Sequence, residues 1–289
     1  QVNITEDGNV AVTTGHPDIG GSRASIANIT AELLGIDVNR VSVLIGDTAT
    51  IGFSNLTGGS RVLFASALVV TESTNQVIDI LKDRASKIWN IDKEAIEWEN
   101  GEARPAGDNA GKFKPLSLVE LAEKATPTGG PIGAGHQVNT VGAEGGFATH
   151  ICDVEVDIEL GIARVIRYTA AQDVGKAIHP AYVEGQLQGG VVQGIGWALN
   201  EEYIYNKEGK LDNPGFLDYR IPVCSDLPMI DTILVEVPNP QHPQGVRGVG
   251  EVPIVPPLSA IANAIYNAIG TRFYSLPMSP PKVLEKISD

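Results

Sequence analysis

Apolar residues recur along this chain with two different periods. Asn9 to Thr14 reads as a short strand. Ile26, Ile29 and Leu33 follow at helical spacing, and Gly35 stands where a glycine commonly ends a helix. Val41 to Ile45 reads as the next strand, and Val70, Val77, Leu81, Ala85 and Ile88 share one face of a longer helix. The clearest alternation is Val154, Val156 and Ile158 against Asp153, Glu155, Asp157 and Glu159, the period of a half-buried strand. A turn at Gly161 leads to a partner strand, Ala163 to Ala170. Val183 to Leu199 is a glycine-studded helix, and Leu258, Ile261, Ile265 and Ile269 mark a last amphipathic one. From about Asn100 to Gly135 the chain is polar and rich in Gly and Pro, apart from a helical patch at Leu116 to Lys124. That stretch predicts a connection between two halves, 1–135 and 136–289. Helices and strands are mixed in both, with hairpin signals, which predicts an α+β fold rather than a doubly wound parallel sheet.

Length and composition narrow the function. At ~150 residues per domain, 289 residues suit two domains. With 43% apolar and 19% charged residues, intrinsic disorder is excluded. A net charge of −14 would be repelled by phosphate backbones, so no nucleic acid is expected as a partner. No apolar run approaches the ~20 residues of a membrane span, and no secretory signal is visible, so no membrane is expected and the setting reads as cytoplasmic. The start at Gln1, without Met, reads as a fragment, a processed subunit or a trimmed chain. Two cysteines, Cys152 and Cys224, exclude a disulfide scaffold. They read as reduced core thiols, with one disulfide left open. An iron–sulfur cluster needs four cysteine ligands, so any cluster lies on another chain. The five histidines are scattered without zinc-site spacing.

Four glycine clusters carry the candidate chemistry: Gly20 to Arg23, Gly58 to Arg61, Gln188 to Gly194, and Gly245 to Glu251. Gly-Gly-Ser-Arg occurs twice, each time where a loop meets a helix. Amides at a helix start are unpaired and favour an anion, and glycine lets a ligand approach the backbone. Together the clusters suggest a large phosphate-bearing ligand gripped by main chain, although GxxxxGK[ST] and GxGxxG are absent. Glu251 lies between a glycine turn and the run Val252 to Pro257. Partial desolvation there raises a carboxylate's pKa and suits a general base, while the alternative is a glutamate facing the dipole of the next helix.

Several segments resemble the molybdenum hydroxylase family of xanthine dehydrogenase and aldehyde oxidoreductase. The resemblance lies in the C-terminal part of the molybdopterin-binding subunit and runs in order over nearly the whole chain. Thr13 to Gly20 is similar to the family's first cofactor turn, and Asp173 to Pro180 to its DxGxxxNP stretch. Val183-Glu184-Gly185-Gln186 with Val192 to Gly196 matches EGQ…QGxG, Tyr219 to Pro222 matches YxIP, and Gly248 to Glu251 matches GxGE. The family commonly has Gln-Gly where this chain has Gly21-Ser22.

The resemblance implies two mixed subdomains of the molybdopterin-binding type. It implies Glu251 as the general base beside molybdenum, with Gln193 bonded to the pterin. Gly21 and Ser22 would form the first cofactor turn, and Gly59 and Ser60 the second. Arg61 would reach the dinucleotide phosphates, and Tyr274 a bound substrate ring, unless it only closes a loop. The metal would take no protein side chain. The implied cofactor is molybdopterin cytosine dinucleotide with a sulfido or selenido ligand on molybdenum. 2Fe–2S clusters and FAD would sit on partner subunits. The chain resembles the medium molybdenum subunit of nicotinate dehydrogenases, which implies a large molybdenum subunit, an iron–sulfur subunit and an FAD subunit as partners. It also implies nicotinate hydroxylation linked to NAD(P). Siblings in the family act on aldehydes, purines or carbon monoxide. A non-catalytic phosphate-binding or assembly module is the alternative from another class.

Overall fold

The computed structural model describes residues 1–51, 54–140 and 145–288. The chain divides into two compact units. The first is Gln1–Ala143 with Asn239–Val246, and the second Glu144–Pro238 with Arg247–Asp289.

The first unit opens with β1 (Val2–Ile4), β2 (Val10–Thr14), α1 (Ser22–Leu34) and β3 (Val41–Ile45). Gly35, left-handed at φ 68°, ends α1 as its position predicts. The 28-residue α2 (Val62–Trp89) follows, burying Val70, Val77, Leu81 and Ala85. β4 (Ile96–Glu99), β5 (Glu102–Pro105) and β6 (Leu116–Ser117) form one three-stranded antiparallel sheet. After α3 (Leu118–Glu123) and α4 (Ala125–Thr128), β7 (Ile132–Ala134) joins the main sheet, whose order is β3-β2-β1-β7.

The stretch read as a connection is thus part of the first unit's architecture. Its strands are only two to four residues long, too short for a period to register, yet Ala103, Leu118, Leu121 and Ile132 are buried. Ser117 closes a capping box with Glu120. Buried Arg84 of α2 donates to the carbonyls of Thr128 and Gly129, which ties the turn after α4 to the long helix.

The second unit comprises β8 (Ala148–Asp157), β9 (Ile162–Asp173), α5 (Pro180–Leu199), β10 (Ile230–Val235), α6 (Pro256–Ile269) and α7 (Pro280–Ser288). Its sheet order is β10-β9-β8. β8 and β9 are antiparallel, with Cys152 opposite Tyr168 and a register shift at Asp153/Val154. The expected strand ends earlier than its alternation suggests. The Asp157 carboxylate accepts from the amides of Glu159 and Leu160, which turns the chain and leaves Ile158 61% exposed. Tyr168, Val191, Ile195, Ile261, Ile265 and Val283 form the core of this unit. Cys152 is half-buried there, but Cys224 is exposed, so only one thiol matches the core reading.

Both units carry the same succession: an antiparallel pair, a helix, a third strand parallel to the second, and another helix. In the first it is β1-β2-α1-β3-α2, with β2 parallel to β3. In the second it is β8-β9-α5-β10-α6, with β9 parallel to β10. Strands and helices therefore mix within each unit, as the α+β reading requires. The sequence reading missed β10, a six-residue strand in a run that is apolar on both faces.

Segment 239–246 returns to the first unit, which the boundary at 135 does not anticipate. His242 is buried, bonds the Phe64 carbonyl at 3.0 Å and lies 4.6 Å from the Phe64 ring. Gln244 donates to the Thr71 hydroxyl at 3.1 Å. A second correction concerns apolar length. Val252–Ile269 averages a hydropathy of 1.3 over 18 residues, long and apolar enough to cross a membrane by composition alone. Here it forms a 3-10 turn and then α6, with Ile261 and Ile265 fully buried against the unit's core.

The pair of half-buried His150 and buried Tyr168 sets a pH dependence. His150 Nδ1 lies 2.9 Å from the Tyr168 hydroxyl, and burial pushes the imidazole down to about 4 while raising the phenol. An unfolded chain takes up that proton near the ordinary histidine value, ~6.5. Between these values the unfolded state binds more protons, so stability is full above about 6.5 and falls as pH drops towards 4. Urea midpoints measured between pH 7.5 and 4.5 should fall over this window. His150→Gln, which keeps a partner for Tyr168 but does not titrate, should flatten the slope.

Candidate active site

The first unit places two of the glycine clusters at helix starts. Gly20 and Gly21 are both left-handed, at φ 61° and 76°, immediately before α1. Gly59 and Ser60 repeat the pair at φ 66° and 57°, one residue before the Arg61 cap of α2. A left-handed serine costs conformational energy that glycine does not, so the turn at Ser60 is a built feature. The two loops adjoin. Ser54 Oγ lies 3.1 Å from His16 Nδ1, and burial, reinforced by the charge of Arg61, keeps the His16 pKa below its ordinary value.

The two turns differ in what they still offer an anion. At α1 the Asp18 carboxylate already accepts from the Arg23 amide at 3.1 Å and pairs with its guanidinium at 3.3 Å. Ser22 is buried, its hydroxyl 3.3 Å from both the Pro17 carbonyl and the Ile19 amide. The side chain of Ser22 thus braces the turn, and the first helix start holds an anion of its own. The first turn of α2 contains no acidic residue. Arg61 donates to the Leu56 carbonyl (3.2 Å) and the Thr140 hydroxyl (2.8 Å), which hold its guanidinium beside that helix start. A glycine turn, a 28-residue helix dipole and a positioned guanidinium form a donor set that fits a dinucleotide phosphate.

Of the other two clusters, Gln188 to Gly194 lies in the second unit, and Gly245 to Glu251 starts at the end of the segment 239–246 and continues into the second unit. Gln188 to Gly194 lies inside α5 and starts no helix, so the reading of this cluster as an anion-gripping turn is corrected. Two of its glycines serve close packing. A Cβ on Gly190 would lie 2.4 Å from the Pro253 ring, and one on Gly194 2.7 Å from Pro257 and 2.8 Å from the Ile254 carbonyl. The spacing of four puts both on one helix face, against which the turn after Glu251 is seated. Gln193, one residue before Gly194, flanks that face and is exposed, with an amide suited to a polar heterocycle.

Glu251 caps the 3-10 turn Val252–Ile254 and is exposed, so the expected desolvation by this chain is not found. Its place at a helix start does match the helix-cap reading, since the turn runs through helical Val255 into α6 at Pro256. The loop before it is anchored to the end of β9. Arg247 Nε lies 3.2 Å from an Asp173 carboxylate oxygen, and both side chains are only 11% exposed. Asp173 also accepts from the amides of Gly175 (3.0 Å) and Val237 (3.4 Å). Arg247 donates to the carbonyls of Val237 (3.3 Å) and Gly145 (3.4 Å). Fully buried Gln172 donates from Nε2 to the Val249 carbonyl at 3.4 Å. Sequence reading passed over Gln172. The available signal was a polar pair, Gln172-Asp173, directly after Ala170-Ala171 at the end of a strand. Tyr274 is 93% exposed, and the nearby Arg272 guanidinium stacks on Tyr266 at 3.8 Å.

The sequence-predicted residues thus fall in two groups: Gly21, Ser22, Gly59, Ser60 and Arg61 in the first unit, Gln193, Glu251 and Tyr274 in the second. Among the described residues no three His, Cys, Asp or Glu side chains gather as a metal site.

A family model described as a molybdopterin cofactor-binding domain matches residues 1–228. The chain is 30% identical over 296 residues to a xanthine dehydrogenase molybdenum-binding subunit of Escherichia coli, covering 98% of this chain and 38% of that protein. It is 29% identical over 298 residues to the nicotine 6-hydroxylase large subunit of Paenarthrobacter nicotinovorans, covering 98% and 36%. Among solved structures, quinoline 2-oxidoreductase from Pseudomonas putida superposes with a TM-score of 0.88 at 26% identity, over 100% of this chain and 38% of that one. The chain spans little more than a third of the length of the relatives it matches.

The seat of Glu251 is testable by packing. Gly194→Ala puts a methyl against the Ile254 carbonyl and the Pro257 ring, contacts that only backbone movement relieves. It should cost about 1–3 kcal/mol of stability, the usual penalty for overpacking. Gly189→Ala, in the same helix with open space around the added carbon, should cost nothing measurable in thermal denaturation.

Proposed function

This chain belongs to the molybdopterin cofactor-binding domain family of xanthine dehydrogenases and aldehyde oxidases, and on that premise we propose that it is the molybdenum-binding part of a multi-subunit hydroxylase. The reaction inserts water-derived oxygen at an electron-poor carbon of a nitrogen heteroaromatic, with nicotinate to 6-hydroxynicotinate as the substrate pair. A ring C–H becomes C–OH, water supplies the oxygen, and two electrons and two protons leave. Relatives named for nicotine and quinoline support a nitrogen heteroaromatic, and relatives named for aldehydes and carbon monoxide keep those substrates as the second reading. The cofactor is molybdopterin cytosine dinucleotide, which when bound supplies the two-electron redox chemistry through molybdenum with a sulfido or selenido ligand.

The residues of this chain bind, orient and move protons. The amides at Gly59 and Ser60 and the Arg61 guanidinium hold the dinucleotide phosphates. Gly21 and Ser22 shape the neighbouring turn, with Asp18 limiting how much anion it accepts. Gln193 hydrogen-bonds the pterin. Glu251 takes the proton released as the attacking oxygen forms its bond to the ring carbon. Tyr274 donates to the ring nitrogen or carboxylate of the substrate. Two cysteines are too few for a 2Fe–2S cluster, so the clusters lie outside these residues; we assign them and the FAD to partner subunits that pass electrons to NAD(P). A large molybdenum subunit completes the pocket, and the complex works in the cytoplasm.

The observation that carries this reading is Glu251 itself. It is an exposed carboxylate at the head of a turn whose next residues are sealed against two glycines of α5. In the intact enzyme, Glu251→Gln should lower turnover by ~10²-fold or more, the usual worth of a general base, at unchanged molybdenum content. Full turnover in that variant would overturn the catalytic reading in favour of a non-catalytic module.

A further inference from the structure

We propose that Asp173 and Gln172, at the end of β9, are positioning residues that fix the loop carrying Glu251. This inference rests on the catalytic reading of Glu251 given above. The loop needs outside support. Gly245, Gly248 and Gly250 alternate through it, and it makes no strand ladder between Arg247 and Glu251. A base on such a segment would sample many positions, and a misplacement of about 1 Å can cost ~10²-fold in rate.

Two attachments from β9 restrain the loop, beside the bonds of Arg247 to the Val237 and Gly145 carbonyls. Asp173 takes Arg247 in a nearly water-excluded ion pair at 3.2 Å while accepting the amides of Gly175 and Val237. The carboxylate therefore joins the turn before α5, the exit of β10 and the catalytic loop at one point. Gln172, with no exposed surface, donates to the carbonyl of Val249, the residue between the two glycines nearest Glu251. Turning the amide over would set its oxygen against that carbonyl, so this orientation is the one electrostatics permits. Past Glu251, Pro253 is buried against Gly190. Glu251 is thereby pinned on both sides while its own side chain stays exposed.

The test uses the intact molybdenum enzyme with Asp173→Asn and Gln172→Met, each made in the wild-type and Glu251→Gln backgrounds. Substrate turnover, metal content and hydrogen–deuterium exchange of amides 247–252 are measured. In the wild-type background, kcat should fall about 10- to 100-fold with KM and molybdenum content nearly unchanged. In the Glu251→Gln background, the same substitutions should change kcat less than about twofold, because residues acting through one group are non-additive. Exchange at 247–252 should quicken roughly tenfold or more in both backgrounds. Equal losses in both backgrounds, or unchanged exchange at the loop, overturn the proposal. If Asp173→Asn fails to assemble, Gln172→Met decides by the same pattern. If Glu251→Gln keeps full turnover, the catalytic reading of Glu251 is what fails, and the exchange result alone then decides whether β9 anchors the loop.

Discussion

A helix and a proline-rich turn meet in the second unit with no side chain between them. Gly190 and Gly194 leave bare backbone on one face of α5, and Pro253, Ile254 and Pro257 occupy the space a Cβ would fill. Interiors packed to crystal density do not absorb even one methyl without movement. The position of the turn therefore follows from the position of the helix, and the position of Glu251 follows from the turn. The other features of this unit act on the same segment from the opposite side. The Asp173–Arg247 pair and the Gln172 amide tie down the approach to Glu251, as the glycine–proline contact ties down its exit.

The parts of the fold legible from the sequence were those with a sustained period. α1, β3, α2, α5 and α6 all appear where their apolar spacing puts them, and Gly35 ends α1 where a left-handed cap is needed. Between 100 and 135 the helical patch at Leu116 to Lys124 was legible and is α3, but the strands were not, for a physical reason. Strands of two to four residues carry too few positions to show alternation, and β5 and β7 pack against α2. Ile158 misled because alternation continues past the point where Asp157 turns the chain. Glycine was ambiguous. The same residue served as a left-handed helix entry at Gly21 and Gly59 and as a packing notch at Gly190 and Gly194, and composition does not separate these uses.

The candidate site was legible as residues but not as surroundings. Motif order pointed to Glu251 and Gln193, and the structure added what braces the segment around Glu251. Asp18 is a case of the reverse kind. It stands within a motif, yet its carboxylate meets the first turn of α1, so two copies of Gly-Gly-Ser-Arg have unequal capacity for a phosphate. The repeated ββαβα succession explains why the loops fall where they do. In each unit the glycine-bearing segments follow the second and third strands, which in parallel-paired strands open at the same edge of the sheet.

The return of residues 239–246 to the first unit has a consequence for biosynthesis. On a ribosome the chain emerges from its N-terminus, so β8, β9, α5 and β10 are all extruded before His242 can reach the Phe64 carbonyl. The first unit is therefore finished late, after most of the second has already appeared. The two units fold as interleaved rather than consecutive events, and a nascent chain cut at the apparent boundary would leave α2 without the segment that covers Phe64 and Thr71.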